Sequence, residues 1–169
     1  MSFKIPNPDA YKFLDDYRGK DFSGKWPTVV EMFEISCKRY PNNDCFIAFN
    51  PKELRFTYSQ ARKKILEVKN FLLSDGVKPG DKIAVSGKNS PEWAIAYLAV
   101  LYAGAIVVPL DATYNDHDME TLMAFGGVSR IFCDGDRVGT IDTSKRVGLV
   151  AKYSLEEKHP EGYSYILDL

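Results

Sequence analysis

The sequence predicts an α/β protein in which helices flank a mostly parallel sheet, with a small strand pair near residues 45–58. Between Lys82 and Cys133, apolar segments of strand length alternate with longer segments of helical periodicity. The helical segments start at capping residues and end at glycines. The strands are nearly continuous apolar runs, which is typical of strands buried on both faces. This order of elements predicts a parallel βαβαβ unit with right-handed crossovers.

The first half of the chain predicts two helices and the strand pair. Residues 1–26 are mixed polar and aromatic, and we interpret them as an N-terminal arm. Thr28 and Glu31 have the spacing of a capping box that opens a helix, and Pro41 ends it. The next elements predicted are strands at Cys45–Phe49 and Leu54–Tyr58 and a helix at Ser59–Ser74 that ends at Gly76.

The second half predicts the parallel unit. In order, the elements are a strand at Lys82–Ser86, a helix capped by Ser90 that ends at Gly104, a strand at Ile106–Leu110, a helix that begins at Asn115 or Asp116 and ends at Gly126-Gly127, and a strand at Arg130–Cys133. Beyond Asp134 the sequence pattern that predicts helices and strands becomes weaker. Val147–Val150 and Tyr163–Leu169 are predicted as short strands.

Charge and hydropathy exclude several classes of function. The 169 residues carry 22 basic and 23 acidic side chains, so no basic excess points to nucleic acid or an anionic membrane. The apolar run Ala94–Leu110 is interpreted as a helix plus a strand and not as an integral membrane segment. The N-terminus lacks the apolar region of a secretory signal, and we expect a cytoplasmic protein.

The cysteines and histidines do not have the spacing of a catalytic or metal site. Cys37, Cys45 and Cys133 form no C-x-x-C pair, which favours buried reduced thiols over catalytic or metal-binding cysteines. His117 and His159 have no partners at ligand spacing, so no metal site is expected.

Polar residues at strand ends are the main candidates for ligand contacts. Asp111 follows a predicted strand at the edge where ligands gather in open α/β sheets, although an aspartate there also commonly binds nearby backbone amides. The structural role is favoured for Asp111. Ser86, Lys88, Asn89 and Ser90 follow the preceding strand and could line the same edge, with Ser90 favoured as a helix cap.

The remaining candidates have mainly structural interpretations. Gly126-Gly127 lies after a helix, so a C-cap is favoured over a phosphate site. Asp134-Gly135-Asp136 predicts a turn and only weakly a metal site. Trp93, Tyr97 and Tyr102 lie on a helix that is apolar nearly all round, which favours core packing over a ligand pocket.

Several segments in order resemble the N-terminal part of the adenylate-forming (AMP-binding) superfamily, most of all acyl-CoA synthetases such as long-chain fatty acid–CoA ligases. The resemblance covers roughly residues 27–135 and lies in five places: residues 28–49, Arg55-Phe56-Thr57-Tyr58-Ser59-Gln60-Ala61, Gly76–Val85, Asn89-Ser90-Pro91-Glu92-Trp93, and Leu101–Tyr114. Each segment alone is weak evidence, whereas their common order and spacing are specific.

The resemblance implies a two-step reaction. ATP and a carboxylate form an acyl-adenylate, and a thiol, usually that of CoA, then takes the acyl group. In the full-length family, a Ser/Thr/Gly-rich loop ending in Pro-Lys-Gly holds the phosphates, so ATP, Mg²⁺ and CoA are implied there. This sequence contains no such loop. We therefore assign it no catalytic, cofactor-binding or metal residue.

The resemblance leads to one main expectation and two alternatives. We expect residues 27–169 to form an incomplete N-terminal domain truncated before the phosphate loop, inactive without the remainder of the parent enzyme. A fatty acid is the expected substrate of that enzyme. The alternatives are a stand-alone binding or interaction module of the same fold and an unrelated Rossmann-like nucleotide binder. An unpaired sheet edge would also favour a homo-oligomer.

Overall fold

A computed structural model describes residues 28–142 and 148–169. The proposed N-terminal arm lies outside these residues. The helices are α1 Val29–Arg39, α2 Tyr58–Ser74, α3 Pro91–Tyr102, α4 Asp116–Gly126 and α5 Gly135–Val138. The strands are β1 Asp44–Ala48, β2 Leu54–Thr57, β3 Lys82–Ser86, β4 Ile106–Pro109, β5 Arg130–Cys133, β6 Ala151–Ser154 and β7 Ser164–Tyr165, which a 3₁₀ turn at Ile166–Asp168 follows.

Five parallel strands form the main sheet, in the order β4-β3-β5-β6-β7. β3 lies between its two successors, so the chain passes to one side of β3 and then to the other. β1 and β2 form a separate antiparallel ribbon. The predicted α/β class, the parallel sheet and the small strand pair are all confirmed.

The sheet separates two apolar cores. On one face, Ile83 and Val85 pack with α2 and α3, whose buried stripes include Ile65 and Ile95. On the other face, Ala84 of β3 packs with residues of α4 and α5, among them Met119. Strands covered on both faces explain why their sequences are nearly continuous apolar runs.

Side-chain caps fix where the helices begin. The Glu31 amide donates to the Thr28 hydroxyl at 3.2 Å, so the predicted capping box is confirmed. Asn115, one of the two predicted starts of α4, caps that helix by accepting from the Asp118 amide at 2.9 Å. α2 begins one residue earlier than predicted because Thr57 forms a capping box with Gln60.

The prediction of a strand at Val147–Val150 is wrong. The sixth strand is Ala151–Ser154, where Ala151 pairs with Arg130 of β5, and Val147 lies outside the described residues. The last predicted strand, Tyr163–Leu169, is reduced to the two residues of β7, because the chain turns at Ile166–Asp168. Within the described residues, no helix has the length and apolar character needed to cross a membrane.

Candidate ligand groove at the carboxyl edge of the sheet

The carboxyl ends of β3 and β5 lie side by side at the point where the strand order reverses. The helices that follow β3 and β5, α3 and α5, pack on opposite faces of the sheet, so the loops after these two strands diverge and leave a crevice. This crevice widens into a groove of about 1070 Å³. Parts of residues 48–54, 88–92, 134–136 and 155–160 line it, together with Tyr165.

A buried carboxylate forms part of the groove lining. Asp134 directly follows β5 and is only 6% exposed. Its oxygens accept from the Lys88 amide at 3.3 and 3.2 Å. Burial raises the pKa of the Asp134 carboxyl, the Lys88 amide opposes this change, and the nearby Glu156 carboxylate adds to it.

Two glycines let the loops close around this carboxylate. A Cβ at Gly87 would lie 2.4 Å from Oδ1 of Asp134, and one at Gly135 would lie 2.0 Å from the Lys158 carbonyl oxygen. Atoms that are not bonded cannot approach so closely, so both positions exclude a side chain in this arrangement. The Gly87 backbone therefore lies directly against the carboxylate, and the Gly135 backbone lies directly against that of Lys158.

Glu156 connects the two loops across the groove. One of its oxygens lies 3.1 Å from the Lys88 ammonium, and the other accepts from the Gly135 amide at 3.0 Å. The Ser154 hydroxyl fixes the Glu156 backbone by accepting its amide at 3.0 Å and donating to its carbonyl at 2.7 Å. The Lys88 ammonium is 4.0 Å from Asp134, so Glu156 is its closer partner.

The β1–β2 ribbon provides the opposite wall. Lys52, between β1 and β2, forms an ion pair with Glu157 beyond β6, and so connects the ribbon to the sheet. At the base of α3, Glu92 accepts from the Tyr165 hydroxyl at 2.8 Å. In total the groove lining contains five carboxylates, Glu92, Asp134, Asp136, Glu156 and Glu157, and three lysines, Lys52, Lys88 and Lys158.

The polar residues that follow the strands do not all lie in the groove. Lys88 and Asn89 line the groove, whereas Asp111 does not. Asp111 is exposed and accepts both the amide and the hydroxyl of Thr113 at 2.8 Å, and these hydrogen bonds lower the pKa of its carboxyl. This local turn is the structural role favoured for Asp111. Ser86 is buried, lies on the same face of β3 as Ala84, and has no hydrogen-bond partner for its hydroxyl among the described residues.

Ser90 caps α3 as predicted, because its hydroxyl accepts from the Trp93 amide at 3.1 Å. Ser90 also lines the groove, so the cap and the ligand surface share this residue. Trp93 and Tyr97 stack with ring centroids 5.3 Å apart and are half-buried outside the groove lining, which agrees with a packing role. Tyr102 donates to Glu34 of α1 at 2.8 Å, and that bond connects two helices.

The glycine and aspartate motifs at Gly126-Gly127 and Asp134-Gly135-Asp136 have structural roles. Gly127 ends α4 in the left-handed conformation with φ 65°, which confirms the predicted C-cap. The predicted turn at Asp134-Gly135-Asp136 is instead the start of α5, a single helical turn. Among the described residues, no group of three or more His, Cys, Asp or Glu side chains is arranged to hold a metal ion.

The three cysteines form no disulfide, and Cys37 and Cys133 are buried while Cys45 is half-buried. Burial raises the pKa of Cys37 to about 11 and those of Cys45 and Cys133 to about 12. Because thiols with such pKa values stay protonated near neutral pH, the buried-thiol interpretation is favoured over nucleophilic chemistry.

Sequence reasoning missed Glu156, Tyr165 and the ribbon residue Lys52 as parts of the groove. Glu156 belongs to a charged run that follows β6, and that strand was placed four residues too early. Lys52 comes from a distant part of the sequence and reaches the sheet only through tertiary packing. A correct assignment of β6 would have placed the charged run at the carboxyl edge.

Comparison with known proteins agrees with this fold. The family of AMP-binding enzymes matches residues 33–163. The long-chain-fatty-acid–CoA ligase of Bacillus subtilis is 33% identical over 104 residues, which are 62% of this chain and 18% of the ligase. The medium-chain acyl-CoA ligase ACSF2 of the rat is 27% identical over 96 residues, or 57% of this chain and 15% of that protein. The chain thus spans less than a quarter of the length of these relatives.

Solved structures share the architecture at lower identity. A protein assigned as a long-chain-fatty-acid CoA ligase from Rhodopseudomonas palustris superposes with a TM-score of 0.72 at 20% identity, over 84% of this chain and 36% of its own. The fatty acid AMP ligase of Legionella pneumophila gives a TM-score of 0.60 at 20% identity, over 72% of this chain and 22% of its own. The family match covers most of the chain, and the βαβαβ sheet has the same fold as these ligases. The chain belongs to the AMP-binding enzyme family.

Proposed function

We propose that the chain is the N-terminal part of an ATP-dependent, AMP-forming carboxylate–CoA ligase that acts on a fatty acid. The family match over residues 33–163 carries this proposal. The named activities of similar proteins support it, since they include long-chain and medium-chain acyl-CoA ligases. In this proposal the five-stranded sheet is scaffold, and the adenylation chemistry belongs to the remainder of the ligase.

The described residues do not fit the groups that such a ligase uses. Five carboxylates around the groove would repel the phosphates of ATP, and only three lysines oppose them. The described side chains also offer no cluster of ligands suited to a Mg²⁺ ion. We therefore assign the ATP, Mg²⁺ and CoA sites to the other part of the proposed enzyme and none of them to this chain.

A pyrophosphate-exchange assay tests the proposal directly. The purified chain, ATP, Mg²⁺ and a series of fatty acids from octanoate to palmitate should give no acid-dependent exchange of labelled pyrophosphate into ATP. The Bacillus subtilis ligase serves as the positive control. Acid-dependent exchange by this chain alone would contradict the assignment of the chemistry to other residues.

A chimera tests the ligase assignment itself. The part of the Bacillus subtilis ligase matched by this chain is replaced by the chain, and the remaining Bacillus part alone is the matched control. Exchange by the chimera, and none by the control, is the expected result because the proposed role is to complete the domain. A chimera that unfolds cooperatively yet shows no exchange with any acid would contradict the proposal.

A stand-alone binding module is the second candidate function, and the groove is the observation that favours it. A groove of about 1070 Å³ with a buried carboxylate is large enough for a small ligand. Binding of a small molecule by a chain that remains inactive in both the exchange and the chimera assays would favour the module.

A further inference from the structure

The Asp134 carboxylate has unused capacity to accept hydrogen bonds. A carboxylate can accept about four donors, but among the described residues a single amide, that of Lys88, donates to Asp134, at 3.3 and 3.2 Å. The residue is nevertheless only 6% exposed. A buried, weakly satisfied charge is costly unless a further donor reaches it, and the accessible route to Asp134 is the groove that it lines.

The charges around the groove favour a cation over an anion. Glu157 pairs with Lys52, and Glu156 pairs with Lys88. These pairs leave the Asp136 carboxylate without a close cation among the described residues. Asp134 lies 4.0 Å from the Lys88 ammonium, which it shares with the closer Glu156, and Glu92 accepts from a neutral tyrosine hydroxyl. Lys158 is the third lysine and does not offset this excess. A positively charged group entering the groove therefore gains electrostatic energy.

The shape and lining of the groove favour an organic ligand with an apolar body. Pro51 and Leu54 of the ribbon and Pro160 contribute apolar surface beside the carboxylates, and Leu155, only 2% exposed, is part of the groove wall. Leu155 is also within reach of Gly87, since a Cβ at that glycine would lie 2.8 Å from its methyl group. A hydrocarbon or aromatic group can therefore lie along Leu54 and Pro160 while a charged head reaches Asp134.

We propose that the groove at the carboxyl edge binds an organic cation, a primary ammonium or amidinium group on an apolar body, with Asp134 as the acceptor for the charged head. The ammonium donates to the free lone pairs of Asp134, and the apolar body packs against Leu54 and Pro160. The Gly87 backbone lies directly against the carboxylate and limits its movement, so binding requires little rearrangement.

Binding of phenethylamine tests the proposal. Its ammonium form is the probe, 2-phenylethanol is the neutral control, and 3-phenylpropionate carries the opposite charge on a similar body. Amide spectra of the ¹⁵N-labelled chain should show saturable shifts for Lys88 and Gly135 with the amine, at least tenfold weaker binding of the alcohol, and no binding of the acid. Equal or tighter binding of the acid, or no shifts at these amides with the amine, would overturn the proposal.

Asp134→Asn identifies the acceptor, because it removes the charge and keeps an oxygen for the Lys88 amide. We expect at least tenfold weaker phenethylamine binding by this variant and unchanged binding by Asp111→Asn, which alters an exposed aspartate on another loop of the same edge. Unchanged affinity of a folded Asp134→Asn variant would overturn the proposal. If that variant does not fold, the proposal is tested by comparing how the unmodified chain binds phenethylamine, 2-phenylethanol and 3-phenylpropionate. The binding assay is independent of the pyrophosphate-exchange assay, so either proposal can fail alone.

Discussion

At the scale of single residues, Gly135 has the tightest surroundings of the described glycines. A Cβ there would lie 2.0 Å from the carbonyl oxygen and 3.0 Å from the carbonyl carbon of Lys158. Both are backbone atoms, so a methyl group can be accommodated only if the loop around residues 156–160 moves. That loop contains Glu156, which connects the two sides of the groove.

We expect Gly135→Ala to lower the free energy of unfolding by about 1–3 kcal/mol, the usual cost of overpacking. The measurement is urea denaturation followed by circular dichroism. Gly126→Ala is the matched control, because its nearest contact would be an ordinary 3.7 Å to Val128. The control should be neutral or slightly stabilising, since alanine favours helix more than glycine does. A Gly135→Ala variant as stable as the unmodified chain would show that the loop yields freely.

Asp75, at the end of α2, makes a second informative side-chain cluster at the opposite edge of the sheet. Its Oδ2 accepts from Nε of the buried Arg130 at 2.7 Å and from the Tyr153 hydroxyl at 2.6 Å. Burial acts to raise the pKa of Asp75, but the hydrogen bonds from Tyr153 and Arg130 outweigh it and hold the pKa below its ordinary value.

Asp75→Asn should therefore destabilise the chain in a pH-dependent way. A carboxyl with a lowered pKa in the folded state stabilises above its unfolded pKa of about 4, and this contribution is lost as the pH falls through the folded value. We expect Asp75→Asn to lower the free energy of unfolding by about 1–2 kcal/mol at pH 7. This is less than the cost of breaking a fully buried ion pair, because Asp75 is partly exposed. The difference between the two proteins should shrink below about pH 4.

Urea denaturation at pH 7 and at about pH 3 measures this effect, and Asp168→Asn, at an exposed aspartate, is the control. The control should follow the unmodified chain at both pH values. If Asp75→Asn lowers the free energy of unfolding by the same amount at both pH values, the ionised carboxylate does not have the role proposed for it.

At the scale of elements, β4 is the longer open edge of the sheet, and its sequence limits pairing. The Ile106 amide donates to the Asp81 carbonyl just before β3, and the Leu110 amide donates to Val85 within β3, so the backbone nitrogens of Val107 and Pro109 face outward. Proline has no N–H, so within Ile106–Pro109 the Val107 amide is the one outward-facing donor, and no described strand pairs with it. The self-association expected from the sequence remains a prediction, and Pro109 weakens the edge-pairing route to it.

Pro109→Val restores the missing donor and should increase self-association, measured as the weight-average mass by light scattering across a concentration series. Ile106→Lys should lower it, because Ile106 is 49% exposed and a charge on an open edge discourages strand addition. Equal masses for both variants and the unmodified chain would show that this edge takes no part in association.

At the scale of the whole molecule, most of the fold was predictable because local signals agree with tertiary packing. β3 and β5 have the predicted bounds, since each has an unbroken apolar segment, Ile83–Val85 in β3 and Ile131–Cys133 in β5. The caps at Thr28, Ser90 and Asn115 are confirmed for the same reason, because a cap depends on residues only three positions apart.

β6 and the groove were not predictable because pairing across the sheet decides them. Ala151–Ser154 contains a lysine and a serine, and its place is set by parallel pairing with β5 and by Tyr153, whose ring lies 4.9 Å from that of Phe132. The run at Val147–Val150 is more apolar, but its described residues 148–150 are not in a strand, and the Val150 amide donates to Ser129 just before β5. The groove combines the ribbon with three loops, a combination that no local pattern contains.

The position of β3 between β4 and β5 also has a kinetic consequence. β3 pairs with β5 across residues 87–129, so this contact closes a longer loop, at a greater cost in chain entropy, than the pairing of β3 with β4. α3 and α4 can form early from local contacts, and β4, β6 and β7 each pair with the strand that precedes them, whereas β5 pairs with β3 and not with β4. Formation of the β3–β5 pair is therefore the step expected to limit the rate at which this chain folds.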